Sequence, residues 1–476
     1  MNKLIYIGLL AFGLMSCSDF LDIDDETKIS NDQILTTISG VEEALNGVYY
    51  DLTNSSYYGN QLLIGPEIKG GNLKFNDITF EAPTSYYYLP SFQFTHTVDG
   101  DDDYMEGCYA QIYTVISEAN NIIENIEFAE DASETQKLQA VSEAKALRAL
   151  AHFDLTKLYA QPYSYSANAQ HLGIAYMLKN IAWDELVSRD LLFDNYENII
   201  SDLLDAEANL GTALGIENAN YSKAYFSKVA AQALLARVYL YKGDWDKAKE
   251  YATKVIENGS ISLLDNSEVV DSYKSQAQTN EDIFIIDKSG INIGAPLAST
   301  IGIQDDRTSL YLLPTDDIIN LFEDGDVRGE LFDEQLGQTL TTKWTEFSNK
   351  DRSYSIIRLA EMYLIRAEAS LNLPASNEVQ ARADLDVIRK RANPAAVNLQ
   401  LSGAALKEEL FQERRRELAF EGHLFFDIVR MGRDLRRVDC NALQNVNIDY
   451  PSNLFVLPIP EEAMEYNNQM VQNTGY

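Results

Sequence analysis

Residues 221–258 constrain the fold more than any other part of the chain. Alanines recur at helical spacing on both sides of Gly243 and Asp244, and Tyr239 and Trp245 flank the same point. Small side chains let two antiparallel helices approach closely, and a Gly-Asp pair suits the tight turn between them. The pattern therefore predicts a helix pair. One such pair cannot bury its own apolar face, so several must stack.

This pair resembles a tetratricopeptide unit, and other parts of the chain predict partners for the stack. Ser133 and Gln136 have the spacing of a capping box, which predicts a helix start just after Ser133. A first helix is predicted from about Asn31 to Leu52. Apolar residues recur every three or four positions in several further segments, which predict two more pairs and a long helix: 104–128 with 133–159, 356–371 with 379–392, and 406–431.

Two stretches, 53–103 and 259–353, lack a helical period and contain short β-prone runs such as 283–286. The aromatic and apolar content of the second stretch favours ordered packing, whereas the first is expected to be irregular or strand-poor, and we expect the two to form one lobe. The predicted fold class is all-α dominated: tetratricopeptide-like helix pairs form a superhelical scaffold beside a variable, loop-rich lobe. We assign one domain to 31–476, with the scaffold from about 31–52, 104–258 and 354–440 and the lobe from about 53–103 and 259–353.

The N-terminus is typical of a bacterial lipoprotein signal. Lys3 precedes an apolar run, and Ser16 precedes Cys17. The run is shorter than the ~20 apolar residues that a membrane span needs. We predict a signal peptide over 1–16, lipidation of Cys17 and an acidic, lipid-anchored linker over 17–30. The alternative is an ordinary secretory signal with an incidental cysteine.

Charge and motif content exclude several functions. The net charge of −35 repels nucleic acid and anionic headgroups, so any membrane contact must come from the lipid. The remaining cysteines, Cys108 and Cys440, are expected to be free thiols, although one long-range disulfide is left open. We find no His-Glu-x-x-His, Cys-x-x-Cys or Gly-x-Ser-x-Gly motif, and we predict no metal, no cofactor and no catalytic residue. The many acidic residues form carboxylate pairs by chance, so the sequence alone does not exclude a glycosidase.

Two charged runs are interpreted as structural. In the run from Glu413 to Glu421, the spacing predicts helix-face pairs of Glu413 with Arg416 and of Arg414 with Glu417. The acidic run at 99–103 lacks the spacing of an EF-hand loop, so helix capping by Asp102 or Asp103 is the better interpretation.

Several motifs together resemble the SusD/RagB family of outer-membrane nutrient-binding lipoproteins of Bacteroidota. They occur in the order typical of that family and span nearly the whole chain: EAKALRA at 143–149, RLAEMYLIRAEA at 358–369, ERRRELAFEGH at 413–423, and LPIP at 457–460 followed by QNTGY at 472–476. Leu424 departs from the pattern, where an arginine usually follows the histidine, and Thr474 replaces a frequent proline.

The resemblance implies about four tetratricopeptide-like pairs that support a SusC-like TonB-dependent transporter, and a variable lobe that binds the cargo. Glycans are the usual cargo of the family, and some members bind peptides. The chain is accordingly expected to be a cell-surface lipoprotein of the outer membrane, facing the exterior, that captures an oligosaccharide and delivers it to the transporter without catalysis. The alternatives are a peptide-binding RagB-like member, a tetratricopeptide protein scaffold in the envelope and a lipid-anchored glycan hydrolase.

Aromatic and amide side chains outside the predicted helices are the candidate ligand contacts. Sugar rings present flat C–H faces that lie against aromatic rings, and their hydroxyls bond to amides. The alternative for each residue is core packing. The predicted ligand-binding residues are Tyr57, Tyr58, Asn60, Asn72, Tyr86, Tyr87, Tyr88, Trp183 and Trp344.

Overall fold

The computed structural model describes residues 34–76, 88–98, 103–182, 184–211, 223–274, 278–288, 296–302, 312–335, 337–344 and 353–476. Its helices are α1 (Ile38–Asp51), α2 (Gln61–Gly70), α3 (Leu89–Gln93), α4 (Asp103–Asn125), α5 (Glu134–Tyr159), α6 (Leu192–Asn209), α7 (Lys228–Lys242), α8 (Trp245–Ile256), α9 (Val269–Lys274), α10 (Pro296–Ile301), α11 (Asp316–Ile319), α12 (Leu359–Asn372), α13 (Glu378–Ala392), α14 (Gly403–Glu417), α15 (Leu424–Arg430) and α16 (Glu461–Glu465). Across these ranges, none of the helices combines the length and the apolar character that crossing a membrane requires.

The strands are short and are paired into two-stranded antiparallel sheets. The pairs are β1 (Leu73–Phe75) with β3 (Leu312–Pro314), β2 (Asp282–Ile286) with β6 (Tyr354–Arg358), β4 (Phe332–Gln335) with β5 (Gln338–Thr341), and β7 (Leu435–Arg436) with β8 (Asn447–Ile448). The pairing of β1 with β3 joins the two stretches that were expected to form one lobe.

The helical scaffold is a consecutive stack in which α4, α5, α6, α7, α8, α12, α13 and α14 each pack on the next. This confirms the helix-dominated fold class, and the pairing of neighbours is consistent with tetratricopeptide-like units. Helix α6 was not predicted as a separate element, although it lies between the two pairs that were.

The predicted turn between α7 and α8 is confirmed. Gly243 has φ +77° and its amide bonds to carbonyls at the end of α7, while the Asp244 side chain accepts from the Lys247 amide and begins α8. The capping box of α5 is also present, with the Ser133 side chain and Gln136 reciprocally bonded. Glycine suits the turn because a positive φ costs it little.

Four expectations about helix boundaries were wrong. The helix predicted from about Asn31 to Leu52 is interrupted at residues 35–37, after which α1 begins at Ile38, while residues 31–33 lie outside the described residues. Residues 354–358 form β6 before α12 begins at Leu359. The stretch 53–103 contains α2 and α3 instead of irregular chain alone. The long helix predicted over 406–431 is divided into α14 and α15.

The division between α14 and α15 has a steric cause. Phe420 has φ +62° and Gly422 has φ +78°. A Cβ on Gly422 would lie 2.1 Å from the Leu62 carbonyl oxygen, so the chain approaches α2 too closely for a side chain. The Glu67 carboxylate accepts the Gly422 amide at 3.1 Å. The chain therefore turns to pack on α2, and a continuous helix is not possible.

A cluster of buried ion pairs joins the lobe to the scaffold. Arg358, at the end of β6, contacts Glu281 at 2.8 Å, Glu417 at 2.5 Å and Glu421 at 2.9 Å. Burial acts to raise the pKa of Glu417, but Arg391, Arg358 and Arg328 hold that pKa well below its usual range. Removing one partner of such a buried ion pair is strongly destabilising. We call Arg358, Glu281, Glu417 and Glu421 the Arg358 cluster.

The predicted structural role of the run 413–421 is confirmed, but one of its pairs was wrong. Arg416 contacts Glu413 at 2.7 Å as expected. Arg414 contacts Asp427 of α15 at 2.9 Å instead of Glu417, because the turn after α14 brings α15 against it. Cys108 and Cys440 are both free. Asp102 lies outside the described residues, as does the side chain of Asp103.

Candidate functional site

A layer of buried aromatic side chains lies between α2 and the strands of the lobe. The Tyr57 and Tyr58 ring centroids are 4.7 Å apart. The Tyr354 hydroxyl donates to the Tyr58 carbonyl, and the Tyr354 ring meets the Trp344 ring edge-on at 5.2 Å. We call this layer, with the residues hydrogen-bonded to it, the aromatic floor; its members are Tyr57, Tyr58, Asn60, Tyr88, Thr300, Trp344 and Tyr354.

Polar contacts extend the floor to two further segments. The Tyr88 hydroxyl donates to Asn60 Oδ1 at 2.9 Å, and Asn60 Nδ2 donates to Thr300 Oγ1 at 3.4 Å. These three side chains are buried, so their hydrogen bonds are not open to competition from water. They tie the start of α2, the start of α3 and the end of α10 to one place.

Several described segment ends of the lobe belong to this floor or contact it. Phe75 is opposite Leu312, and Ile286 is opposite Tyr354. Gly302 lies so close to Trp344 that a Cβ would be 1.7 Å from the Trp344 carbonyl oxygen. Four connections, 77–87, 289–295, 303–311 and 345–352, lie outside the described residues. Each adjoins one described residue that belongs to the floor or contacts it, and these residues are Tyr88, Lys288, Gly302 and Trp344.

This convergence makes the lobe face above the floor the candidate functional site. Binding residues in proteins are concentrated on connecting segments that a rigid scaffold positions. Here the support is rigid because its rings pack in the core and its polar atoms are hydrogen-bonded. The floor thus anchors one described end of each of the four connections, and its own side chains are buried.

The structure brings together five of the predicted ligand-binding residues. Tyr57, Tyr58, Asn60, Tyr88 and Trp344 are all members of the floor, and none of them is more than 7% exposed. Their rings therefore pack in the interior in this conformation, and direct contact with a ligand stays a prediction for them. What the geometry adds is that these residues support the described ends from which the four connections leave.

The remaining predicted residues lie elsewhere. Tyr86, Tyr87 and Trp183 fall outside the described residues. Asn72 is buried at the end of α2, where its Nδ2 donates to Glu67 Oε2 at 2.6 Å and its Oδ1 accepts from Arg415 Nε at 2.8 Å. Asn72 therefore clamps α2 to α14, and it is not part of the floor.

Sequence reasoning missed Thr300, Gly302 and Tyr354. Tyr354 was missed because it lies in a strand of only five residues, which leads directly into the helical motif that begins at Arg358. Its paired position opposite Ile286 could be found only from the register of β2 and β6. No local signal identifies Gly302 as a close-approach position.

Burial keeps the tyrosine hydroxyls of the floor neutral by raising their pKa values. The Tyr57 hydroxyl donates to Asp154 Oδ2 at 2.8 Å, and Asp154 contacts Lys157 at 2.7 Å. Burial, with the Asp154 charge beside it, raises the pKa of Tyr57 well above its usual range. The phenols thus remain protonated and act as hydrogen-bond donors.

The acidic groups nearest the floor are tied to cations. Lys343, next to Trp344, contacts Glu421 at 2.5 Å, and Arg358 contacts the same carboxylate. Burial opposes ionisation of Glu421, but Arg358 and Lys343 lower its pKa overall. An acid held as a paired carboxylate is a poor proton donor. Within the described ranges, no group of three or more histidine, cysteine or acidic side chains could hold a metal ion.

Comparisons with known proteins match both ends of the chain to one family. The model described as "SusD family" matches residues 333–476, and a SusD-like model described as "Starch-binding associating with outer membrane" matches residues 19–240. SusD-like protein P2 of Formosa agariphila is 27% identical over 100% of this chain and 99% of its own length.

Solved structures give the same result. A SusD superfamily protein of Bacteroides vulgatus superposes with a TM-score of 0.80 at 27% identity, covering 92% of this chain and 99% of that chain. A laminarin-binding SusD-like protein has a TM-score of 0.73 at 22% identity, with the same coverage, and shares the fold.

Proposed function

Because this chain belongs to the SusD/RagB family, we propose that it is a surface lipoprotein that captures an oligosaccharide above the aromatic floor. It passes the oligosaccharide to a SusC-like TonB-dependent transporter and carries out no covalent chemistry. The observation that carries the proposal is the rigid aromatic support, at which one described end of each of four connections lies.

The sequence of these connections supports a carbohydrate ligand. Tyr86 and Tyr87 directly precede the floor residue Tyr88, and Asn292, Gln304 and other amide or hydroxyl side chains occur in the connections. Aromatic faces with a few polar groups are the combination that sugar rings require. The names of the matched proteins, starch-binding and laminarin-binding, support a glycan in preference to a peptide.

Binding without cleavage is supported by the chemistry around the floor. Hydrolysis of a glycosidic bond needs one carboxylic acid that donates a proton and a second carboxylate. The carboxylates of the Arg358 cluster are buried, and each is engaged by arginine or lysine. They stabilise the junction of lobe and scaffold, which is a structural role.

Attachment to the outer membrane is proposed to occur through lipid on Cys17, with the lobe facing the exterior. The acidic linker 17–30 gives the folded domain reach from the membrane surface. Palmitate labelling that is present in the wild-type chain and lost in Cys17→Ala would support the anchor. Equal labelling of both would show that Cys17 is not lipidated.

Affinity electrophoresis tests the ligand. The mature protein is run through gels that contain starch, laminarin or other neutral polysaccharides, and each polysaccharide is then analysed for shorter products. We expect retardation by at least one polysaccharide and no cleavage. The double variant Tyr86→Ala/Tyr87→Ala should lose retardation, whereas Tyr50→Ala, which removes a half-exposed tyrosine of α1, should retain it.

Two results would overturn the proposal. Release of shorter oligosaccharides would identify a hydrolase. Unchanged retardation in the Tyr86→Ala/Tyr87→Ala variant would place the ligand away from the floor, as a protein scaffold with a groove along its helices would predict.

A further inference from the structure

A second surface feature is an apolar groove of about 430 Å³ near the C-terminus. Its walls come from the first half of α4, from the connection between α5 and α6, and from α16 with the residues after it. We call it the C-terminal groove; its lining residues include Tyr109, Tyr113, Met177, Val187, Ala463 and Tyr466.

Hydrogen bonds hold the walls of the groove in place. The Tyr113 hydroxyl donates to the Ala175 carbonyl at 2.9 Å, which fixes the connection to α4. Asn467 Nδ2 donates to the Val187 carbonyl at 2.7 Å, which fixes the residues after α16 to the same connection. The groove is therefore preformed, and an occupant would not have to order it.

The lips of the groove expose large apolar side chains. Tyr466 is 76% exposed, Leu178 is 55% exposed and Val471 is 53% exposed. Tyr466 lines the groove, and Leu178 and Val471 directly follow the lining residues Met177 and Met470 in the chain. Exposed apolar residues concentrated around an apolar groove mark an interaction surface. Tyrosine at such a position provides a rigid contact area with one polar end.

The rim of the groove is acidic. Glu461, Glu462 and Glu465 are exposed on α16. Asp184 and Glu185 are exposed in the connection that forms another wall, where Glu185 contacts Lys179 at 3.7 Å. A second copy of a chain with net charge −35 would be repelled, as would an anionic lipid surface. A neutral sugar would find few hydrogen-bond partners on walls made mostly of carbon. The complementary occupant is an apolar polypeptide segment flanked by lysine or arginine.

We propose that the C-terminal groove docks an apolar, basically flanked segment of the partner transporter. This inference rests on the proposed function, since it assigns a contact surface to the partner named there. Tyr466 is the apolar anchor of the contact, and the α16 carboxylates guide and orient the basic flanks.

Site-specific cross-linking in intact cells tests the contact. A photoreactive p-benzoylphenylalanine replaces Tyr466 in cells that carry an epitope-tagged TonB-dependent transporter encoded beside this gene. The control replaces Leu443, which is 81% exposed on a different loop. We expect an adduct with the tagged transporter from position 466 and not from 443, and mass spectrometry should find lysine or arginine beside apolar residues in the cross-linked segment.

A charge-reversal pair tests the chemistry of the rim. The variant Glu462→Lys/Glu465→Lys should recover less transporter on co-purification, by on the order of tenfold. The matched variant Glu130→Lys/Glu257→Lys makes the same change of charge at exposed positions away from the groove, and it should recover as much as the wild type. Higher salt should weaken the wild-type contact because exposed charges are screened.

The outcomes separate this inference from the proposed function. If wild-type protein recovers no transporter, the proposed partnership fails, and this inference fails with it. If recovery is normal but both charge variants and both cross-linking positions behave alike, the transporter binds elsewhere and only this inference is overturned. Cross-linking of position 466 to a second copy of the chain would likewise overturn it.

Discussion

The helical scaffold and the variable lobe bury their side chains by different routes. In most of the scaffold, helices that are neighbours in the chain are neighbours in space, as where the turn at Gly243 joins α7 directly to α8; the packing of α8 on α12 is the exception. In the lobe, the Thr315 hydroxyl donates to the Gly71 carbonyl across 244 residues. Closing such long connections costs entropy that local helix pairs do not pay. The lobe therefore depends on the scaffold to hold its chain ends together.

The Arg358 cluster is where the two regions depend on each other, so breaking it should have the largest effect. Arg358→Ala leaves Glu281 and Glu417 with fewer cationic partners in a buried site, and we expect a loss of about 3–5 kcal/mol in the free energy of unfolding. Urea denaturation should show the lobe unfolding before the scaffold.

The control for this variant is Arg436→Ala. Arg436 is paired with Asp434 and Asp449 but is half-exposed, so its removal should cost less than about 1 kcal/mol. Equal losses in the two variants would show that the cluster does not join the regions.

Acid should weaken the scaffold through a buried histidine. Burial, with the Arg148 charge beside it, lowers the pKa of His152 to about 3 from 6.5. The unfolded chain therefore binds a proton that the folded chain refuses, and stability that is present above pH ~6.5 declines by up to about 1.4 kcal/mol per pH unit as the pH falls toward 3.

Urea titrations at several pH values measure this slope. His152→Gln should reduce the slope of the unfolding free energy against pH. The rest of the slope comes from other groups whose pKa is lowered by folding, such as Glu417, which loses its contribution at still lower pH. A slope unchanged by His152→Gln would exclude the histidine as its source.

A small change at the floor should act mainly on the lobe. Gly302→Ala places a Cβ against the Trp344 carbonyl, so the two segments must separate, at an expected cost of about 1–3 kcal/mol. Polysaccharide retardation should fall with it. Gly47→Ala is the control, because no atom lies within 4 Å of a Cβ at that position of α1. Gly47→Ala should be neutral or stabilising; a similar loss in both variants would contradict the close contact at Gly302.

The smallest expected effect lies in the scaffold, where the contacts are local. Ser133→Ala removes the cap of α5 and should cost about 1 kcal/mol, while Ser133→Asp should retain most of the stability because it keeps an acceptor oxygen. Thermal denaturation measures both. If Ser133→Ala weakened polysaccharide binding without lowering the melting temperature, the scaffold and the floor would be coupled more directly than the geometry indicates.

Much of the scaffold could be predicted because its signals are local. The cap at Ser133 and the turn at Gly243 depend on residues within one helical turn. The partner of Arg414 could not be predicted, because Asp427 reaches it only after the chain reverses at Gly422. The sequence likewise predicted only part of the candidate site. Tyr58 and Trp344 were predicted and belong to one floor, but Tyr354, which contacts both, was not.

The sequence by itself determined the family, the stacked helix pairs and the turn between α7 and α8, since each follows from residue types at fixed local spacing. Only the tertiary structure decided that the candidate aromatics Tyr57, Tyr88 and Trp344 pack in the interior. The physical reason is that burial is set by contacts between segments far apart in the chain, and a local pattern does not contain their register.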